Sequence, residues 1–367
     1  MTPRARSRGW LIGASLALVA AFSACDGSDP STGVNPAPAG KPWDTLDEWR
    51  LFEDAAHQIP AEGVEPFEVI SPLFSDYTAK HRFVWLPEGA HIGYRDDKVW
   101  DLPVGTIIIK TFAYPIDERA PATGERILET RLLVHEAGGW VPHTYVWDAA
   151  QTRAERKVAG TTLDVSWIDA GGATREHRYV VPTTNECQEC HGKIPASLPL
   201  GLKTAQLDRP LRDGTGNQID HLASLGWFSS TPTAAASRAH FAAPDSAADL
   251  TLRARGYLDA NCAHCHSSSG DAGNKALYLD FASTVPTASP ANWGVCKVPT
   301  SAGGATCGYT YDVVPGDADH SIMVCRMEST RGADQMPPIG RGLAHAEGIA
   351  LVRAWIDAME PAGCGTR

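Results

Sequence analysis

The chain has 367 residues, 43% of them hydrophobic and 20% charged, which is enough apolar material for one or two buried cores and too much for a disordered chain. Its 43 Asp and Glu outnumber 32 Lys and Arg, for a formal net charge of −11. That balance excludes a nucleic-acid binder, because neutralising phosphates needs a basic face, and the composition also excludes a multi-span membrane protein.

Residues 1–24 read as an export signal: Arg4, Arg6 and Arg8 precede a short apolar run from Trp10 to Phe22. The run is shorter than the roughly 20 apolar residues a spanning helix requires. It ends in Phe22-Ser23-Ala24-Cys25, which resembles a bacterial lipoprotein cleavage box, so Cys25 is the expected lipidation site and the acyl chains the expected membrane anchor. A plain signal peptide is the alternative. Residues 25–44, rich in Pro, Gly, Ser and Asp, read as a flexible tether.

A short amphipathic helix is expected near residue 45, with Leu46, Trp49, Leu51 and Phe52 on its apolar side. Strand signals then dominate residues 45–182. Residues 106–112 are β-branched, and residues 131–135 and 140–147 flank Gly138-Gly139 as the arms of a hairpin. Leu163, Val165 and Trp167 alternate with polar neighbours, and residues 169–172 turn the chain into a further strand over 175–181. A β-sandwich-like domain is the expectation, with its Trp and Tyr residues serving the core rather than a sugar platform.

After Pro182 the pattern changes. Cys187-Gln188-Glu189-Cys190-His191 lies in a segment over 183–247, and Cys262-Ala263-His264-Cys265-His266 in a segment over 248–364. Ser246 and Asp249 read as a capping box opening a helix toward the second motif, and Ile349, Val352, Trp355, Ile356 and Met359 mark a closing amphipathic helix. The fold class expected is therefore multidomain α+β: a β-sandwich-like N-terminal domain followed by mainly α-helical cytochrome c-type haem domains.

Two thiols three positions apart can each form a thioether with a haem vinyl group, and the adjacent His then ligates the iron. CxxCH arises by chance roughly 0.01 times in a chain of this composition; here it occurs twice. Cys187, Cys190, Cys262 and Cys265 are thus the expected attachment sites of two covalent haems c, with His191 and His266 as proximal ligands. The competing reading is a zinc site built from the two CxxC pairs, which does not need the His that follows each.

Cys296, Cys307, Cys325 and Cys364 remain, an even number in a compartment that permits disulfides. A Cys296–Cys307 bond would close a Gly-rich loop and a Cys325–Cys364 bond would tie down the last helix; other pairings stay open. Gln335-Met336-Pro337-Pro338 lies ahead of the closing helix, where a cytochrome c domain supplies its distal ligand, so Met336 is the expected sixth ligand of the second haem. Met323 and Met327 are alternatives better suited to helix packing. No Met lies near the first motif; His221 ranks first as its sixth ligand, with His240 and the histidines of the β-rich region behind it. His264 reads as a surface residue, and Arg326 and Arg331 as surface residues or propionate partners.

Four stretches carry a family likeness: Ser71-Pro72-Leu73-Phe74-Ser75-Asp76-Tyr77, Leu128-Glu129-Thr130-Arg131-Leu132, the run from Arg253 through His266, and Val314-Pro315-Gly316-Asp317. On these the chain resembles exported dihaem c-type cytochromes with a β-rich N-terminal region, over residues 45–360. The resemblance implies two covalent haems, electron transfer at the periplasmic side or the cell surface, a redox partner protein, and a parallel β-helix protein as a further partner. It implies no substrate. The function expected is outer-sphere electron transfer in the cell envelope; the alternative is a peroxidase- or oxidase-like enzyme with an open first haem.

Overall fold

In the computed structural model the described residues are 1, 33–192, 198–238, 240–285, 288–300, 306–361, 363 and 364. The signal segment, Cys25 and residues 25–32 of the expected tether lie outside them. Residues 33–44, read as tether, instead lie on the body: Val34, Ala37 and Trp43 pack against the apolar cluster that contains Leu46, Trp49 and Leu51. The expected helix near residue 45 is only a single 3-10 turn, Asp47–Trp49, after which Phe52–Asp54 (β1) pairs with Ile59–Pro60 (β2).

The central element is a six-stranded antiparallel sheet in the order of the chain: Val64–Pro66 (β3), Ala79–Trp85 (β4), Ile107–Pro115 (β5), Glu125–Glu136 (β6), Gly139–Trp147 (β7) and Ala154–Arg156 (β8). The glycines expected to turn a hairpin do so, with Glu136 paired to Gly139 across the β6–β7 connection. Thr161–Ile168 (β9) and Thr174–Val181 (β10) form a separate two-stranded hairpin.

Strand alternation divides the large sheet into two faces. Phe83, Ile107, Ile109, Leu132, Val134 and Tyr145 share one face and meet the N-terminal segment. The other face is covered piecemeal. Val84, Leu133 and Trp140 pack at one end against the helices Thr204–Leu207 (α2) and Gln218–Ser224 (α3) through Leu207, Ile219 and Leu222. Tyr114, Leu128 and Val146 pack at the other end against the β9–β10 hairpin through Val165, Trp167 and Tyr179. A single sheet covered by helices and one hairpin replaces the expected sandwich of two sheets.

The C-terminal part also departs from expectation: it is not mainly α-helical. Thr184–His191 (α1), Leu250–Asn261 (α4), Ile322–Glu328 (α5) and Ala346–Asp357 (α6) complete the α-helices. Between α4 and α5 the described residues hold only three 3-10 turns. Gly- and Pro-rich sequence there favours turns over helical runs. Asp249, not Ser246, caps α4, its side chain accepting from Leu252 N; the reciprocal capping box occurs instead at α1, between Thr183 and Glu186. Helices α4, α5 and α6 share a core of Tyr257, Leu258, Val324, Val352, Trp355 and Ile356. Gly348 admits Tyr257 to the α4–α6 contact: a Cβ there would lie 2.2 Å from the phenol oxygen. Gly33–Arg367 forms one compact unit, and no helix among the described residues is long and apolar enough to cross a membrane.

The disulfides join Cys296 to Cys364 and Cys307 to Cys325, correcting the pairing read from the sequence. The backbone of Cys296 donates to Val313 and Tyr311 Oη donates to the Cys364 carbonyl at 2.9 Å. Those bonds bring the tail beyond α6 to Cys296, with Cα atoms 4.9 Å apart, and leave Cys307 to α5.

His143 lies on the sheet face beside Trp49, with ring centroids 6.1 Å apart. Burial, aided by Arg156, pushes its pKa down to about 4. The unfolded chain therefore binds this proton more readily, and stability falls as pH drops from about 6.5 toward 4, by about 3 kcal/mol for this group. In chemical denaturation near pH 7 and near pH 4, His143→Gln should lose less stability on acidification than the wild type. Equal losses would contradict the assignment.

Candidate functional site

Helix α1 carries the first CxxCH motif over the middle of the sheet face that the flanking cores leave open. Strand register places Arg82 opposite Lys110 and Lys110 opposite Arg131, a row of three cations across adjacent strands where like charges ordinarily repel. Arg131 is bidentate to the buried Glu129, at 2.5 and 2.8 Å, and Glu129 also accepts from Tyr179 Oη at 2.6 Å. Lys110 lies over the Phe112 ring, 4.8 Å from its centroid; burial drives its pKa well down, reinforced by Arg82 and Lys80.

His191 ends α1. Its Nδ1 is 2.9 Å from the Leu198 carbonyl, an arrangement that fixes the tautomer and leaves Nε2 with a free lone pair, as a metal-bound imidazole requires. Burial holds the ring's pKa near 4, with Lys110, His264 and Arg131 acting on it from nearby, so the ring is neutral and ligand-competent at neutral pH. The sequence missed this row because its members are far apart along the chain and only register aligns them.

The second motif closes α4. Cys262 N donates to Leu258 O at 2.8 Å and His266 N to Cys262 O at 2.9 Å, so the motif turns as a single coil at the helix end. Beside it opens a cavity of about 310 Å³. Cys262, Cys265 and His266 line it together with Met323, Met327 and Met336. His266 Nδ1 is buried without a hydrogen bond of good geometry. Burial lowers the ring's pKa, opposed by Cys265 and by the Leu277 backbone. Burial pushes the Cys262 thiol up to about 12.

Met336 lines the cavity with His266, as do Met323 and Met327 from α5. The loop bearing Met336 is held by Arg341, whose guanidinium donates to the carbonyls of Met336, Arg326, Ser329 and Leu343 at 2.9–3.2 Å. Met336 N in turn donates to Arg326 O at 2.9 Å. Phe74 and His345 complete one side of the cavity, their rings stacked at 4.2 Å. His345 Nδ1 is 3.0 Å from Tyr257 Oη, and burial holds its pKa near 4. Neither residue stood out in the sequence as part of a site, although Phe74 belongs to the distinctive 71–77 stretch.

His221 does not join either site. It lies on α3 with Nε2 3.0 Å from a Glu65 carboxylate oxygen, so the ring nitrogen best placed to reach a metal is engaged elsewhere, and it is not among the charged groups acting most strongly on His191. His240 is exposed. His264 is half-buried and lines the cavity. Arg326 lines the cavity and donates to Asp334 O at 3.1 Å, whereas Arg331 is exposed and pairs with Asp334.

Among the described residues no three His, Cys, Asp or Glu converge as a metal ion would need, so the two CxxC pairs do not form the four-thiolate cage of the zinc reading. The arrangement is instead two single imidazoles, each beside its own pair of thiols.

No family model matches the chain, and no match is found among curated proteins or solved structures.

Arg341→Ala should remove the hydrogen bonds that this guanidinium gives to four part-buried carbonyls and cost about 1–3 kcal/mol, with faster amide exchange across residues 329–343. Unchanged exchange there would show that the loop is held by something else.

Proposed function

We propose that this protein is a dihaem c-type cytochrome that carries electrons in the cell envelope, anchored through Cys25. The observation that supports the reading most is the His191 ring, fixed by its Nδ1 contact with Leu198 and neutral by burial, at the end of a CxxCH helix. The second motif repeats the chemistry beside a mostly apolar cavity. Each haem supplies a one-electron iron couple with no bond made or broken to a substrate.

The chain's own groups have separable roles. Cys187 and Cys190 would hold one haem and Cys262 and Cys265 the other, with His191 and His266 as the imidazoles that would bind the irons. Met336, on the loop that Arg341 holds, would offer its thioether to the second iron, and thioether ligation would raise the potential. The apolar wall of Leu277, Leu279, Ile322 and Ile349 excludes water, which strengthens every charge interaction inside it. At the first site the guanidinium groups of Arg82 and Arg131 would offer counter-charge to haem carboxylates. The electron donor and acceptor are redox proteins.

A second reading draws on His221: with that ring held by Glu65, the first site has a proximal imidazole and no His or Met assigned opposite it. An open iron there would bind small ligands, as a peroxidase-like enzyme requires.

In the matured protein, Met336→Ala should leave both haems covalently attached, lower the potential of one, and abolish the far-red charge-transfer band of thioether-ligated ferric haem. Retention of that band would remove Met336 from the site. Carbon monoxide separates the two readings: binding to one ferrous haem favours the open-site enzyme, and inertness of both favours the carrier.

A further inference from the structure

Three oxidisable rings lie in contact at the hairpin end of the sheet. Trp167 on β9 stacks on Tyr114 on β5, with ring centroids 4.5 Å apart, and Tyr114 meets Tyr179 on β10 edge to face at 6.4 Å. Both tyrosines are sealed, and Trp167 is the most open of the three at 6% exposure. Each ring has a hydrogen-bond acceptor, and the acceptors differ in kind. Tyr114 Oη donates to the Asp76 carbonyl, an amide oxygen too weak a base to take a proton. Trp167 Nε1 donates to Glu118 Oε1 at 3.0 Å. Tyr179 Oη donates at 2.6 Å to Glu129 Oε1, on a fully buried carboxylate that Arg131 fixes in place through two further bonds. Burial and the Glu129 charge push the Tyr179 pKa well up, so the phenol keeps its proton in the resting protein. Strand β10 runs into α1 through the Thr183 cap, which puts Tyr179 at the approach to the first CxxCH motif.

We infer that Tyr179 is a redox-active tyrosine that yields one electron to a strong oxidant while its phenolic proton passes to Glu129, and that Tyr114 and Trp167 relay the electron that restores it. This goes beyond the dihaem reading and does not depend on it. The oxidant is a one-electron acceptor of high potential, the class that peroxide produces at an iron centre. It gains the electron, Glu129 gains the proton, and Tyr179 becomes a neutral tyrosyl radical. A phenol that loses an electron turns strongly acidic, so a base already at hydrogen-bond distance takes the proton in the same event. Tyr114 has no such base, which makes Tyr179 the resting place of the oxidising equivalent and Tyr114 a step on the way. In the return, one electron passes from Trp167 through Tyr114 to Tyr179 and the proton goes back from Glu129 to the phenol. An external one-electron reductant then restores Trp167. An oxidising equivalent held on Tyr179 and drained through Trp167 spares the thiols and methionines of the two candidate sites, which it would otherwise damage.

Photo-oxidation of the full chain tests this. The protein, with any attached haem in the ferric state, is oxidised by flash-generated tris(bipyridine)ruthenium(III), frozen, and read by electron paramagnetic resonance. The wild type should give a neutral tyrosyl signal that narrows when the protein is grown on ring-deuterated tyrosine, and Tyr179→Phe should lose it. Glu129→Gln, whose amide oxygen still accepts from the phenol but cannot take its proton, should slow radical formation about 10²-fold. With ascorbate as reductant, Trp167→Phe should lengthen the life of the radical. A tyrosyl signal undiminished in Tyr179→Phe, or a wild type that gives only a tryptophan signal, overturns the assignment. If Glu129→Gln does not fold, the wild-type rate decides: transfer to Glu129 leaves it independent of buffer concentration, and a rate that climbs with buffer base contradicts the inference. The readout is a radical on the chain itself, so a chain without covalent haem ends the dihaem reading and leaves this one to its own result.

Discussion

Asp76 is almost sealed from solvent, at 3% exposure, yet its carboxylate is well satisfied. It accepts from the backbone of Gly342 at 2.8 and 2.9 Å and of Leu343 at 2.8 Å, and lies 3.0 Å from His177 Nε2 on the β9–β10 hairpin. Its own carbonyl accepts from Tyr114 on β5. One residue thus ties the sheet, the hairpin and the loop leading into α6. A buried carboxylate is tolerable only when so many donors replace water, and removing it would leave those donors unpaired. Around it, Phe74 N donates to Asn261 on α4 at 2.8 Å and Tyr77 Oη accepts from Ala346 N at 3.1 Å. The 71–77 loop is therefore a clasp that sets α4 and α6 against the sheet, and with them the second CxxCH motif against the first.

That constraint explains why neither half makes a complete site alone. The sheet face is closed at its ends by apolar cores, but its middle carries Arg82, Lys110 and Arg131, which no apolar element can cover without a desolvation cost. Helix α1 lies there with its imidazole and two thiols. The helical half brings the cavity, three methionines and a second imidazole, and Glu189 from α1 helps to line that cavity. The hydrogen bond between the motifs, from Cys265 Sγ to the Glu189 carbonyl at 3.3 Å, thus comes from the fold and not from nearness in sequence.

Local signals were the legible ones. Gly138-Gly139 with alternation on either side gave the β6–β7 hairpin, and the apolar spacing over residues 349–356 gave α6. CxxCH carries its chemistry in five residues, so the candidate thiols and imidazoles were legible at once, and the prolines after Met336 marked it as a candidate that the fold sets on the cavity wall beside Met323 and Met327. Long-range placements were not. Trp43, Leu46 and Trp49 carry no periodicity that distinguishes a tether and helix from a segment laid across a sheet, and the sheet's apolar face decided their place. Four cysteines allow three pairings, and it takes the long-range contacts of Cys296 with Val313 and of Tyr311 with Cys364 to select one. His221 has a helix and a plausible spacing, but Glu65 from β3 claims it.

The central claim is covalent attachment of two haems to the four CxxCH thiols. Intact mass spectrometry of the chain matured in a host that attaches haem c tests it most directly, read together with the count of reactive thiols after denaturation. The account predicts a mass increase of two haems and no reactive thiol at Cys187, Cys190, Cys262 or Cys265. A chain of unmodified mass with all four thiols free would contradict it.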